Sequence, residues 1–147
     1  MKLILTTLCA LSLATGIAPA SARDQGKPDL GTAMVRMAEL EIDPAQLDAY
    51  KAILAEEQEA SVRLEPGVLM LHSFAIAETP AKIRLLEVYA SKAAYESHIR
   101  SPQFLKYKIS TEKMVRSLRL VDIDPILLCA KSTGTSGGQG VCTGPVK

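Results

Sequence analysis

Val68-Leu69-Met70-Leu71-His72-Ser73-Phe74-Ala75-Ile76-Ala77 alternates as a strand does, yet neither of its sides is polar. In extended backbone, successive side chains point to opposite faces. Val68, Met70, His72, Phe74 and Ile76 then share one face, and Leu69, Leu71, Ser73 and Ala75 the other. A strand solvated on one side carries polar residues there. One that is apolar on both belongs to a sheet covered on both sides.

The flanks supply the rest of the sheet. Glu78-Thr79-Pro80 predicts a turn, and residues 83–89 a partner strand, again apolar on both faces. Two such runs joined by a short turn make a hairpin. Upstream, Pro66-Gly67 stops a helix that runs to about Leu64. That helix starts at Asp43-Pro44-Ala45-Gln46. Asp43 can accept from first-turn amides, Pro44 suits the first helical position, and Gln46 completes an arrangement like a capping box. Leu47, Tyr50 and Leu54 mark its buried stripe. Glu57 and Ser61 continue the stripe with polar residues. A solvated last turn is the simpler reading of that pair, and a polar wall to a cavity the sharper one. Before the helix, residues 34–42 read as a strand. Met34, Ala38, Leu40 and Ile42 share one face with Arg36, and Val35 and Met37 share the other.

Downstream, Ser91 caps a short helix over 92–98, and Ser101-Pro102 restarts helix from Gln103 to about Met114. Residues 118–123 form the last strand, closed by Asp124-Pro125. The order βαββαβ is the ferredoxin-like α+β arrangement. Helices cover only one face of such a sheet, so a second copy of the chain is the simplest cover for the other. The pattern alone therefore predicts a homodimer.

The ends of the 147-residue chain read differently. Met1-Lys2 supplies a positive start, residues 3–14 an apolar run, and Ala20-Ser21-Ala22 a small-residue cleavage site before Arg23-Asp24. That layout predicts a signal peptide over 1–22 and a linker over 23–32. The run is short for a membrane span, which disfavours the alternative of a retained anchor. Cys9 lies inside the run and does not read as a lipid-attachment site. Of 17 basic and 16 acidic side chains, only Lys2 falls in the leader, so the remainder is formally neutral. A neutral chain without a basic stripe argues against nucleic acid and gives no pull toward an anionic membrane. Export to the periplasm or beyond meets oxidising conditions. Cys129 and Cys142, flanking the Gly/Ser/Thr-rich residues 134–140, are then expected to form a disulfide closing the tail, residues 125–147. The chain-entropy account makes that bridge worth about 2–3 kcal/mol. Two cysteines alone make a poor metal site. Neither a phosphate-binding glycine loop nor a Ser/His/Asp set stands out.

Two stretches carry a family resemblance. One is Ser61-Val62-Arg63-Leu64-Glu65-Pro66-Gly67-Val68-Leu69, where a helix gives way to a strand. The other is residues 87–104, Glu87-Val88-Tyr89 through His98-Ile99-Arg100-Ser101-Pro102-Gln103-Phe104. With the element order, they resemble the antibiotic biosynthesis monooxygenase (ABM) domain family, including its quinol-monooxygenase-like members, over residues 33–124. The resemblance implies a dimeric α+β barrel of two ferredoxin-like sheets. For characterised members it implies oxygenation of quinol or polyphenol-type aromatics by O2 without flavin, haem or metal. Other members degrade haem, isomerise small sugar-derived signals or have no known activity, so the fold does not fix the function. The haem-degrading branch resembles an Asn/Trp/His constellation. This chain has neither Trp nor Asn, and Tyr89 stands where many relatives carry Trp.

A cofactor-free oxygenase needs a base, because a phenolate reduces oxygen more readily than a phenol, and a pocket that excludes bulk water. Histidine suits that role. His98 matches the family's helix histidine, and Glu87 could orient it. His98 could equally tether the broken helix. His72, mid-strand between Met70 and Phe74, is a second candidate that also reads as a core or interface residue. Glu87 needs a partner, with Arg36, Arg84 or His98 in reach. Tyr50, Tyr89 and Phe74 are candidates for contacting substrate, and each could instead be plain packing. Three functions remain open: a monooxygenase, a ligand-binding dimer without turnover, and a structural dimer whose tail recruits a partner.

Overall fold

The computed structural model describes residues 32–131 and 140–143. The expected leader, almost all of the linker and most of the glycine-rich stretch lie outside the described residues.

The first strand, β1 (Met34–Ile42), leads through a single 3-10 turn (Pro44–Gln46) into helix α1 (Leu47–Leu64). Two strands follow, β2 (Val68–Ile76) and β3 (Thr79–Tyr89), then two short helices, α2 (Lys92–His98) and α3 (Pro102–Thr111), and strand β4 (Val115–Asp122). The four strands make one antiparallel sheet in the order β2-β3-β1-β4. This is the expected ferredoxin-like βαββαβ order, with the second helix broken in two.

The caps show why the helices begin where they do. The Asp43 carboxylate accepts from the Ala45 amide at 3.0 Å, and Pro44 follows it. The capping box does not form. Gln46 reaches away, its Nε2 donating to the Lys113 carbonyl at 3.4 Å, because a 3-10 turn separates Asp43 from the α-helix proper. Ser91 accepts from the Ala94 amide at 3.1 Å and Ser101 from the Phe104 amide at 3.3 Å. Each such cap is worth about 1 kcal/mol. Pro102 at the first position of α3 prevents one continuous helix, so α2 ends at His98.

The helices cover one face of the sheet. Ala38, Leu40 and Ile42 of β1, Ile83 and Leu85 of β3, and Tyr50 and Leu54 of α1 form a single buried cluster. Each fully buried aliphatic chain contributes about 1.5–3 kcal/mol. The opposite face carries Met37, Met70, His72, Phe74 and Leu86, set in register around Glu39, which pairs with Arg119 at 2.6 Å and Arg84 at 3.7 Å. Phe74 there is 53% exposed.

Further sequence expectations are corrected. Val68 does not share a face with Met70. An irregularity between them leaves Val68 opposite Tyr89 on the helix side and Met70 opposite Val88 on the open side. A bulge inserts one residue and so flips the alternation. The β2–β3 turn is Ala77-Glu78 alone, with β3 starting at Thr79. β4 starts at Val115, three residues early, because α3 already ends at Thr111. The tail also adds a hairpin, β5 (Leu128–Lys131) with β6 (Gly140–Thr143), where the sequence reads only a linker-like loop. Its register sets Cys129 directly opposite Cys142.

Candidate functional site

Tyr50, Leu54, Glu57 and Ser61 recur every three or four residues and so form one stripe of α1, facing the sheet. The stripe does not become a solvated turn: Glu57 is 6% exposed and Ser61 is fully buried. The Ser61 hydroxyl donates to Glu57 Oε1 at 2.7 Å. The sharper of the two sequence readings, a polar wall, is the one the structure supports. Glu65 closes α1, its amide bonded to the Ser61 carbonyl at 2.9 Å.

Against this wall lies His98, the last residue of α2, 3% exposed. Its Nδ1 is 3.1 Å from Glu65 Oε1, and its Nε2 is 3.8 Å from Glu57 Oε1. The first distance is a hydrogen bond; the second is too long for one. Gln103 of α3 donates to the same Glu65 oxygen at 2.6 Å. Aromatic rings enclose the imidazole: Tyr89 at 5.3 Å and Phe104 at 4.9 Å between centroids, with Tyr95 at 5.4 Å beyond Tyr89. The Arg36 guanidinium lies 4.4 Å over the Tyr95 ring and pairs with Asp122 at 2.6 Å.

Glu87 does not orient His98. Its Oε2 accepts from the Tyr89 hydroxyl at 3.2 Å, two residues along the same face of β3. Glu65, outside the sequence candidates, takes the orienting role. It sits in the helix–strand junction, within the stretch Ser61–Leu69 that carries the family resemblance. Tyr50 is buried on this side and shares a 2.8 Å hydrogen bond between hydroxyls with Tyr107. Tyr89 is buried here too. His72 and Phe74 are not brought to this cluster. They lie on the open face of the sheet, their rings stacked at 6.3 Å.

Burial pushes the Glu57 and Glu87 carboxyls above the usual carboxylate range, with the Ser61 and Tyr89 hydroxyls pulling back in turn. Burial likewise raises the Tyr50, Tyr89 and Tyr107 phenols, so each stays a neutral hydrogen-bonding group at neutral pH. Between α1 and α3 lies a cleft of about 30 Å³, lined by Ile53, Ala60, Tyr107, Gln103 and Glu57. Glu56 and Lys106 flank it as an exposed ion pair. That volume suits a water or two. Among the described residues, no group of three or more His, Cys, Asp or Glu is placed to hold a metal ion.

Comparison with known proteins agrees with this architecture. The family model described as antibiotic biosynthesis monooxygenase matches residues 33–108. A crystal structure from Bacteroides thetaiotaomicron, provisionally named an antibiotic biosynthesis monooxygenase, is 48% identical. The match covers 66% of this chain and 92% of that one, with a TM-score of 0.65. A Lactobacillus acidophilus structure, provisionally named a monooxygenase, is 24% identical at a TM-score of 0.60, covering 64% of this chain and 43% of that one. A Nitrosomonas europaea structure is 18% identical at 0.59, covering 62% and 88%. The last two share the fold. None of the curated proteins matches the chain.

Proposed function

The chain belongs to the antibiotic biosynthesis monooxygenase family, and from that premise we propose that it is an exported, cofactor-independent monooxygenase of quinol- or polyphenol-type aromatics. The observation that carries the reading is His98. It is a buried imidazole within hydrogen-bonding distance of one carboxylate, facing a second, and enclosed by aromatic rings.

In this reading His98 takes the hydroxyl proton of the substrate. The phenolate then supplies the electrons. One oxygen atom of O2 replaces a ring hydrogen and becomes a carbonyl. The other leaves as water, carrying the hydroxyl proton and the displaced ring hydrogen. A phenol and O2 thus give a quinone and H2O, with the substrate as sole reductant. The hydrophobic rings around His98 keep water from the phenolate. In this reading the neutral Tyr107 hydroxyl, beside the cleft and bonded to the buried Tyr50 hydroxyl, meets a polar edge of the ligand. An aromatic ring needs more room than the α1–α3 cleft offers, so admission requires α3 to part from α1. The break at residues 99–101 and the exposed Lys106–Glu56 pair are where it can give.

The same narrowness favours a second reading, a small-ligand-binding dimer without turnover. Oxygen uptake on a panel of quinols and dihydroxyaromatics, with protein checked free of flavin and metal, separates the two. Turnover that drops about 100-fold or more in His98→Ala is the expected result. A folded protein with no uptake on any member, stabilised by a ligand nonetheless, overturns the first reading for the second.

Assembly and location belong to the same proposal. The open face with Phe74 and Leu86 is taken to pack on a second copy, giving the dimeric barrel. Cys129 and Cys142, opposite one another across β5 and β6, are taken to form a disulfide. That bridge and the leader-like residues 1–22 fit a periplasmic or secreted protein.

A further inference from the structure

His98 has two ring nitrogens, and the structure assigns them different work. The Gln103 amide nitrogen can only donate, so Glu65 Oε1 accepts from it at 2.6 Å. The same oxygen lies 3.1 Å from His98 Nδ1. An accepting oxygen there requires Nδ1 to carry the hydrogen. In the neutral ring, Nε2 is then left with its lone pair, and it faces Glu57 Oε1 at 3.8 Å. Glu57 differs from Glu65 in one further respect: it lines the α1–α3 cleft, with Glu56 and Lys106 at the solvent side. Glu57 therefore stands between buried His98 and that cleft.

We propose that Glu65, His98 and Glu57 form a proton relay, in which Glu65 is a positioning residue that fixes the hydrogen on Nδ1 and Glu57 exchanges the proton carried on Nε2 with the α1–α3 cleft. The proposal rests on the monooxygenase reading for its role in turnover, and on geometry alone for the tautomer. The proton leaves a substrate hydroxyl for Nε2, and the imidazolium forms between two carboxylates. It passes to Glu57 when that carboxylate closes the gap by about 1 Å, as catalytic contacts do on ligand binding. It returns by the same route to the hydroxide released when the O–O bond breaks, so no net proton is gained or lost. The other ionisable groups packed around this set are Tyr50 on α1, Glu87 and Tyr89 on β3, Tyr95 on α2, Tyr107 on α3 and Arg36 on β1. Glu87 is engaged by Tyr89 and leaves the imidazole nitrogens to Glu57 and Glu65.

The test combines 15N-histidine NMR with oxygen-uptake kinetics on the full protein. His72→Gln assigns the two histidines. In the wild type, His98 should show a protonated Nδ1 and an unprotonated Nε2. Glu65→Ala should lose that preference, and Glu65→Gln, which keeps an acceptor, should restore it. The Nε2 resonance should also follow a carboxylate titration that vanishes in Glu57→Gln and persists in Glu87→Gln. In kinetics, Glu57→Gln should lower kcat about 10–100-fold and change its pH profile, with KM within about threefold. An Nε2–H tautomer in the wild type, or an unchanged tautomer in folded Glu65→Ala, overturns the positioning role. A Glu57→Gln variant with wild-type kcat and pH profile, or an Nε2 titration insensitive to it, overturns the relay. Absence of all oxygen uptake overturns the monooxygenase reading instead, and the two NMR results then decide the proton arrangement by themselves.

Discussion

A carboxyl group buried among rings responds to pH in the opposite sense to one held in a surface ion pair. Burial holds Glu87 above its ordinary range, so the folded chain favours its protonated form. That contribution to stability is fully present below the unfolded value, about 4.3, and is lost as pH rises through the raised folded one. Glu87→Gln, whose carbonyl still accepts from Tyr89, removes it. The melting temperature of this variant minus that of the wild type should therefore increase from pH 4 to pH 8. Thermal unfolding at the two pH values measures it, and a constant difference would count against a carboxyl that burial holds protonated. Sequence alone reaches His98, Tyr50 and Tyr89, because aromatic and histidine side chains in apolar surroundings announce themselves. It misses Glu65, because the partner of a side chain at a helix end is chosen by a contact 33 residues away.

Elements reach the site through one close approach. A methyl group on Gly67 would lie 2.6 Å from the Ala94 side chain, so the junction between α1 and β2 can touch α2 only where no Cβ stands. The Gly67 carbonyl accepts from the Ala90 amide at 2.9 Å, which tethers the same junction to the end of β3. Gly67→Ala should therefore cost about 1–3 kcal/mol by overpacking. Its urea unfolding midpoint should fall, and oxygen uptake with it, since α2 carries His98 at its far end. A variant with unchanged midpoint and uptake would show that α2 shifts freely. At this scale most boundaries are legible. Asp43-Pro44, Ser91 and Ser101-Pro102 punctuate the helices through local chemistry. What local chemistry does not encode is the irregularity after Val68, which depends on how β2 lies against β3. The hairpin of β5 and β6 is equally silent, since four-residue strands carry too little alternation to read.

The whole molecule has a finished face and an open one. Helices seal the side with Leu40, Ile83 and Tyr50. The other side presents Phe74 and Leu86 beside the Arg84–Glu39–Arg119 charges. If that face packs on a second copy, Phe74→Asp buries a charge at the contact and should convert dimer to monomer. Sedimentation velocity reads the change directly; a wild type that sediments as a monomer, or a variant that stays dimeric, would place the interface elsewhere. The ferredoxin-like order was legible here because each strand run is bounded by turn residues and each helix by a cap. The apolar character of both strand faces carries the expectation of a dimer.

The sheet order has one more consequence. Among the described residues it leaves β2 and β4 at the two margins, each with a row of backbone amides and carbonyls unclaimed by a neighbouring strand of the sheet. Such margins can recruit other chains into runaway aggregation. β4 is guarded by Arg116, Arg119 and Asp122, whose charges repel a flat apolar intruder. β2 has no Lys, Arg, Asp or Glu along its whole length. Its protection is geometric: an irregularity near each end twists the strand out of register with any straight partner. Under crowding or partial unfolding, β2 is the margin from which insoluble assembly should start.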